Sequence, residues 1–209
     1  MIAVLIATKG RPAKLNRCLA SIPPHIHVAI HATRPEDVQT NRPNTSVTVG
    51  PENIVDAFNL LASRTTEPNV LPVPDDVRFS DRFFAALTEY ASSLHLGNVV
   101  IGCPVTNHRH NDDAVTLVHR SAIQQRGFLF DPRFEHFFID SELGRWAKQR
   151  RLFTVCPEAT LEHFHPEASG EYDATHRHRR MDKWRHDKAI WDQITGKPPA
   201  LAAATPQTS

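Results

Sequence analysis

The sequence predicts an α/β fold, a mostly parallel central sheet with helices on both faces, and three observations carry that expectation. The chain opens on a continuous apolar run, residues 2 to 7, which suits a strand buried on both faces. A helical stripe, Leu15, Cys18, Leu19 and Ile22, follows at once. Apolar runs and helical stripes then alternate through the first half of the chain, the order that βαβ units leave in a sequence. In such a sheet a ligand belongs at the carboxyl ends of the strands.

Taken in order, the first run ends at Lys9-Gly10-Arg11-Pro12. Pro12 suits the first turn of the helix that follows, and Pro23-Pro24 closes it. Ile26, Val28 and Ile30 alternate with His27, Ala29 and His31, the period-two pattern of a half-buried strand. Thr33 to Ser46 is polar and reads as loop, and Val47 to Val49 as a short strand. Ile54, Ala57, Phe58 and Leu61 stripe a second helix. Asn69 to Val73 is a strand running into Pro74-Asp75-Asp76, with a helix expected next.

Ser80 is expected to cap that third helix, whose stripe is Phe83, Phe84, Leu87, Tyr90, Ala91 and Leu94 and whose end is Gly97. Val99 to Cys103 and Val115 to Val118 read as strands flanking a polar loop, Asn107 to Asp113. A helix from Ser141 to Arg151 follows, capped by Asp140, with Arg150 and Arg151 at the negative end of its dipole. Leu152 to Cys156 returns as a strand, and Tyr172 to Ile194 reads as a basic helix. One domain is expected over residues 1–195, with halves 1–103 and 104–195, and the Pro-, Ala- and Thr-rich residues 196–209 form a disordered tail.

The 209 residues carry 24 basic and 23 acidic side chains, so no overall field dictates a polyanionic partner. Cys18, Cys103 and Cys156 are an odd set without C-x-x-C spacing, which argues against a disulfide framework or a zinc knuckle. They read as buried thiols of a reducing, cytoplasmic compartment. The opening apolar run stops at Thr8-Lys9, too short and wrongly flanked for a signal peptide. Nothing approaches the run of about 20 apolar residues that spans a bilayer.

Chemistry concentrates in a few stretches. Asp75-Asp76, directly after a buried strand, suits a hard divalent cation bound through oxygen, and it equally suits an ordinary turn. Thr8-Lys9-Gly10-Arg11 offers backbone amides and cations to a nucleotide or diphosphate. His163 and His165 share one face of an extended segment and offer imidazole nitrogen to a metal, or serve no ligand role. Asp140, beside the aromatic Phe137-Phe138, is a helix cap or a general base.

In this order the stretches resemble the family-2-like glycosyltransferases of the GT-A fold, over roughly residues 1–195. The matching segments are Ile6 to Pro12 with Leu15 and Leu19, then Pro74-Asp75-Asp76-Val77, then Gly127 to Asp131 through Asp140-Ser141-Glu142-Leu143, then His163 to His165. Asp187 and Trp191 also sit where such chains often carry Asp and Trp. The resemblance implies a Rossmann-like nucleotide-sugar-binding first half and an acceptor-binding, catalytic second half. It implies a donor pocket of Ala7, Thr8, Lys9, Arg11 and Asp75, and Mn²⁺ or Mg²⁺ held by Asp76 with His163 or His165. Asp140 matches the catalytic base of inverting members. The implied reaction moves a sugar from a nucleoside-diphosphate sugar to an acceptor hydroxyl.

Two other classes compete. A sugar nucleotidyltransferase shares the architecture, but its Gly-rich phosphate loop is not evident after the first strand. A nucleic-acid or polyanion binder would use the basic stretch 176–188, with Arg177, Arg179, Arg180, Lys183, Arg185 and Lys188 around Trp184, a stretch that also suits a solvated helix face. If that stretch serves a transferase, the acceptor is a glycan, a lipid-linked sugar or a nucleic acid.

Overall fold

The computed structural model describes residues 1–50, 53–94, 99–106, 114–164 and 181–197. A seven-stranded sheet forms its centre, in the order β3-β2-β1-β4-β7-β6-β8. These strands are β1 Ile2–Thr8, β2 His27–Ala32, β3 Thr45–Val49, β4 Asn69–Pro74, β6 Val100–Gly102, β7 Thr116–His119 and β8 Phe153–Val155. β5 (Val77–Phe79) and β9 (Leu161–His163) pair as a separate antiparallel ribbon. Among the described residues six helices accompany them: α1 Pro12–Ala20, α2 Ile54–Arg64, α3 Phe83–Ser93, α4 Arg120–Arg126, α5 Ile139–Gln149 and α6 Met181–Thr195.

β1 sits centrally and parallel to both β2 and β4, and β3 extends the parallel set beyond β2. Only β7 runs antiparallel to its neighbours in this sheet. Pro72 and Pro74 have no N–H to give a ladder, and β7 accordingly pairs with β4 only at Asn69 and Val70. Among the described residues the carboxyl-terminal half of β4 thus has no strand on that side.

Alternation along β1 divides the core. Ile2, Val4 and Ile6 pack with Leu15, Cys18 and Leu19 of α1 and with Phe83, Phe84 and Leu87 of α3. Ala3 and Leu5 face the other way, toward Val55, Phe58 and Leu61 of α2, Ala122 of α4, and Leu143 and Ala147 of α5. Ile190, Trp191 and Ile194 of α6 pack half-buried against this second cluster. Helices therefore cover both faces, as expected.

Several local expectations are corrected. β2 is buried on both faces, His31 included, because β1 and β3 flank it and helices lie above and below. The acidic pair leads into β5, not into a helix. Ser80 does not cap α3; Arg82 is its N-cap, without a side-chain cap bond, and Ser80 instead accepts the Phe83 amide through its carbonyl. Phe138, not Asp140, is the N-cap of α5, in a left-handed conformation with φ 61°. β3 begins at Thr45, inside the expected loop, and the short 3-10 turn Pro35–Asp37 also interrupts that loop. The basic helix is described from Met181 onward; its first part, the loop 107–113, Gly97 and the tail from residue 198 lie outside the described residues.

Candidate functional site

Four parallel strands end on one edge of the sheet at Thr8, Ala32, Val49 and Pro74. The pairing of Ala7 with Pro74 sets Thr8 beside the turn that carries Asp75 and Asp76. The chain leaves β1 through Lys9 and Gly10, whose φ of 63° is the left-handed bend that favours glycine, and returns as α1 with Arg11 at its N-cap. The β5–β9 ribbon, pairing Val77 with His163, brings the histidine to the other side of the same turn.

These elements converge in one bonded network. The Thr8 hydroxyl donates to Asp75 Oδ2 at 2.6 Å. Arg11 bridges the pair: Nη2 lies 2.6 Å from Asp75 Oδ1, Nε donates to Asp75 Oδ2 at 3.1 Å, and Nη1 reaches Asp76 Oδ2 at 3.4 Å. His163 Nε2 stands 3.1 Å from Asp76 Oδ1. The Phe164 amide donates to the Asp76 carbonyl at 2.8 Å, and the Arg17 guanidinium covers the Phe164 ring at 4.2 Å. Both aspartates are buried, at 0% and 2% exposure, so adjacent carboxylates persist there only with cations and donors around them.

Electrostatics splits the pair. Burial pushes the Asp75 carboxyl up to about 6, against the pull of Arg11 and the Thr8 hydroxyl, and the neighbouring Asp76 adds to the rise. Burial opposes ionisation of Asp76 as well, but the His163 hydrogen bond and charge, with Arg11 and Lys14, outweigh it and hold Asp76 below the usual carboxylate range. Burial, reinforced by both carboxylates, pushes the Cys18 thiol of α1 up, which makes it an inert core group. All three cysteines are free and buried, as the sequence suggested.

The network joins Thr8, Arg11, Asp75, Asp76 and His163, five of the residues singled out from sequence. Ala7 lies one residue back in β1, half-buried, and Lys9 stands half-buried on the bend. Asp140 stands on a different element, half-buried in the first turn of α5, where Oδ1 accepts a hydrogen bond from the Ser141 amide at 2.7 Å. The described bonds of the acidic network stop short of it. The His163 imidazole stands at the pair, and His165 lies outside the described residues.

To a divalent cation this donor set offers the Asp76 carboxylate with the His163 imidazole beside it. Among the described residues no group of three or more His, Cys, Asp or Glu is arranged to hold a metal alone. Asp76 and His163 nevertheless place a carboxylate oxygen and an imidazole nitrogen together at the sheet edge. Mg²⁺ is commonly held by one or two carboxylates plus substrate phosphates, and Asp76 supplies a carboxylate of that kind. Arg11 pairs with both carboxylates, and His163 and Lys14 add charge at Asp76.

No protein-family model matches the chain, and no curated protein matches it. Solved structures do. The mannosyltransferase PcManGT from Pyrobaculum calidifontis, in complex with GDP-Man and Mn²⁺, aligns with a TM-score of 0.66 at 15% identity, covering 98% of this chain and 66% of that one. It has a glycosyltransferase fold. S. aureus TarS 1-349 shares that fold with a TM-score of 0.63 at 12% identity over 80% of this chain, and its complex with UDP-GlcNAc aligns at 0.62 and 13% over 96%. The chain spans 61% of the length of TarS 1-349. At such identities the shared feature is the glycosyltransferase fold, and within it the network above stands at the carboxyl ends of the parallel strands. No described helix is long and apolar enough to cross a membrane.

Sequence reasoning missed β5, β9 and α4. Three-residue strands carry no readable period, and α4 buries only Ala122 fully. It also gave Asp187 no structural role, although that side chain is fully buried and accepts three backbone amides.

Proposed function

We propose that this chain is a nucleotide-sugar-dependent glycosyltransferase, moving a sugar from a nucleoside-diphosphate donor to an acceptor hydroxyl with inversion. One observation carries the reading: a buried Asp75-Asp76 pair, bonded to Thr8, Arg11 and His163, at the strand ends of a glycosyltransferase fold. The similar structures named above hold GDP-Man with Mn²⁺ or UDP-GlcNAc, which supports a donor of this class.

In this reading Ala7, Thr8, Lys9, Arg11 and Asp75 line the donor pocket, with Lys9 and Arg11 giving positive charge to the diphosphate. Asp76 and His163 would hold Mn²⁺ or Mg²⁺, whose chemistry is to neutralise charge on the departing nucleoside diphosphate. Asp140 takes the proton of the acceptor hydroxyl while that oxygen bonds to the anomeric carbon. The bond from that carbon to the diphosphate breaks on the opposite face. General-base action of this kind is worth about 10² to 10⁴ in rate. Three free cysteines favour a reducing, cytoplasmic setting.

Thermal shift with UDP, GDP, CDP and dTDP sugars, with and without Mn²⁺, tests the reading. One donor should raise the melting point only with the metal, and at 100 times its dissociation constant the gain is about 2.7 kcal/mol. Asp76→Asn should abolish that shift. A shift that survives Asp76→Asn removes the metal assignment, and no shift with any donor removes the glycosyltransferase reading.

A further inference from the structure

We propose that α6 is a clamp whose buried Asp187 sets the position of Asp140, making Asp187 a positioning residue for the transfer reaction; this rests on the glycosyltransferase reading and on Asp140 as its base. The Asp187 carboxylate is fully buried, and no side-chain cation neutralises it through a described ion pair. It accepts instead the amide protons of three consecutive residues: Glu135 at 2.9 Å on Oδ1, and His136 at 2.9 Å and Phe137 at 2.7 Å on Oδ2. Hydrogen bonds to a carboxylate are roughly twice as strong as neutral ones, so three amides converging on one buried carboxylate hold the loop firmly.

The loop so fixed is the approach to α5. It ends at Phe138, a non-glycine residue held at φ 61°, and Asp140 follows two residues later. Holding that conformation costs energy that surrounding contacts must offset. Trp191 of α6 stacks on the Phe138 ring, 5.8 Å between centroids and 5° between planes. Lys183 reaches Glu135 at 3.3 Å, and His186 bonds the Arg133 carbonyl at 3.1 Å. Asp187, Ile190, Trp191 and Ile194 lie at helical spacings on one face, so a single helix face grips residues 133–138 while its far end meets Arg145 of α5 through the Ile194 carbonyl at 3.4 Å.

The base of a displacement must stand within hydrogen-bond reach of the proton it removes, and an error near 1 Å can cost about 10²-fold. Asp187 touches no reacting atom in this scheme. It acts by making the backbone at 135–138 rigid, which aims the first turn of α5.

The test compares Asp187→Asn, Trp191→Leu, Asp140→Asn and the double variant Asp140→Asn/Asp187→Asn, with Asp182→Asn, an exposed acid in the first turn of α6, as the control. Amide hydrogen exchange of the full chain should speed by about tenfold or more at residues 135–141 in Asp187→Asn, and less in Trp191→Leu, with β1 and α2 unchanged. Release of nucleoside diphosphate from whichever of the UDP, GDP, CDP and dTDP sugars the wild type cleaves, with Mn²⁺ and water as acceptor, should lose about tenfold or more in kcat while donor KM holds within about twofold. The double variant should be no slower than Asp140→Asn alone.

Unchanged exchange at 135–141, acceleration spread evenly over the chain, or rate losses that multiply with those of Asp140→Asn each overturn the proposal. A wild-type protein that neither binds nor cleaves any of the UDP, GDP, CDP and dTDP sugars overturns the glycosyltransferase reading and the catalytic half of the proposal with it. The exchange experiment then still decides whether Asp187 fixes the loop.

Discussion

Thr8, Arg11 and His163 each direct a donor or a charge at the aspartate pair, and their placement shows how single residues are tuned by what surrounds them. The same holds at the end of β2. His31 is buried between β1 and β3, and its Nε2 lies where a Cβ on residue 50 would approach to 2.9 Å, so glycine at 50 leaves room for the ring. Burial, helped by the charge of Arg64, holds the His31 imidazole below its ordinary value. Below about pH 6.5 the unfolded chain binds a proton that the folded chain resists, so this group makes stability fall as pH drops from there toward its depressed folded value. Urea unfolding at about pH 5 and pH 7 should show a smaller loss in His31→Gln than in wild type. The alternation of residues 26–31 revealed the strand, but not the burial of its histidine face, because β3 and the second helical layer are supplied by residues remote in sequence.

At the scale of elements, ends and connections carry the precision. Arg120 begins α4 and donates to the carbonyls of Glu67 at 3.0 Å, Ala62 at 2.9 Å and Thr65 at 2.7 Å, tying the end of α2 to the start of β4. Arg120→Met should destabilise by about 1.5–3 kcal/mol, the range for hydrogen bonds to a charged group, read from the urea midpoint at constant slope. Asn59 of α2 plays a like part across the core, accepting the Leu129 and Phe130 amides and donating to the Phe130 carbonyl. Neither residue stands out in sequence, since a polar side chain inside a loop or on a helix gives no sign of which distant carbonyl it meets. Helices α1, α2 and α3 were legible because each buries a continuous stripe. The cap of α5 was not, because Phe138 takes a left-handed conformation that α6 supports from some fifty residues away.

Across the whole molecule, near-neutral charge supplies no overall field that would draw a polyanion. The chain carries +1, and the described cations of α6 are engaged: Lys183 with Glu135, Arg185 with Asp182 and Lys188 with Asp192. Binding to duplex DNA is therefore expected no tighter than the nonspecific range of about 10⁻⁴ to 10⁻⁶ M at physiological salt. Fluorescence anisotropy between about 50 and 200 mM salt checks this, and a loss of about 10³-fold or more would instead indicate six or more phosphate contacts and restore the polyanion reading.

What the sequence by itself determined was the alternation of strand and helix, the mostly parallel sheet, and the two loops, Thr8 to Arg11 and Asp75-Asp76, that end its central strands. Those follow from local periodicity and from where apolar runs stop, which are properties of neighbouring residues. Only the tertiary structure decided that Arg11 bridges both aspartates, that the β5–β9 ribbon delivers His163 to them, and that Asp187 holds the loop before Asp140. Each of these joins residues about fifty or more positions apart through charge and hydrogen bonds. Such pairings are fixed by the packing of remote segments in space, and no local pattern encodes them.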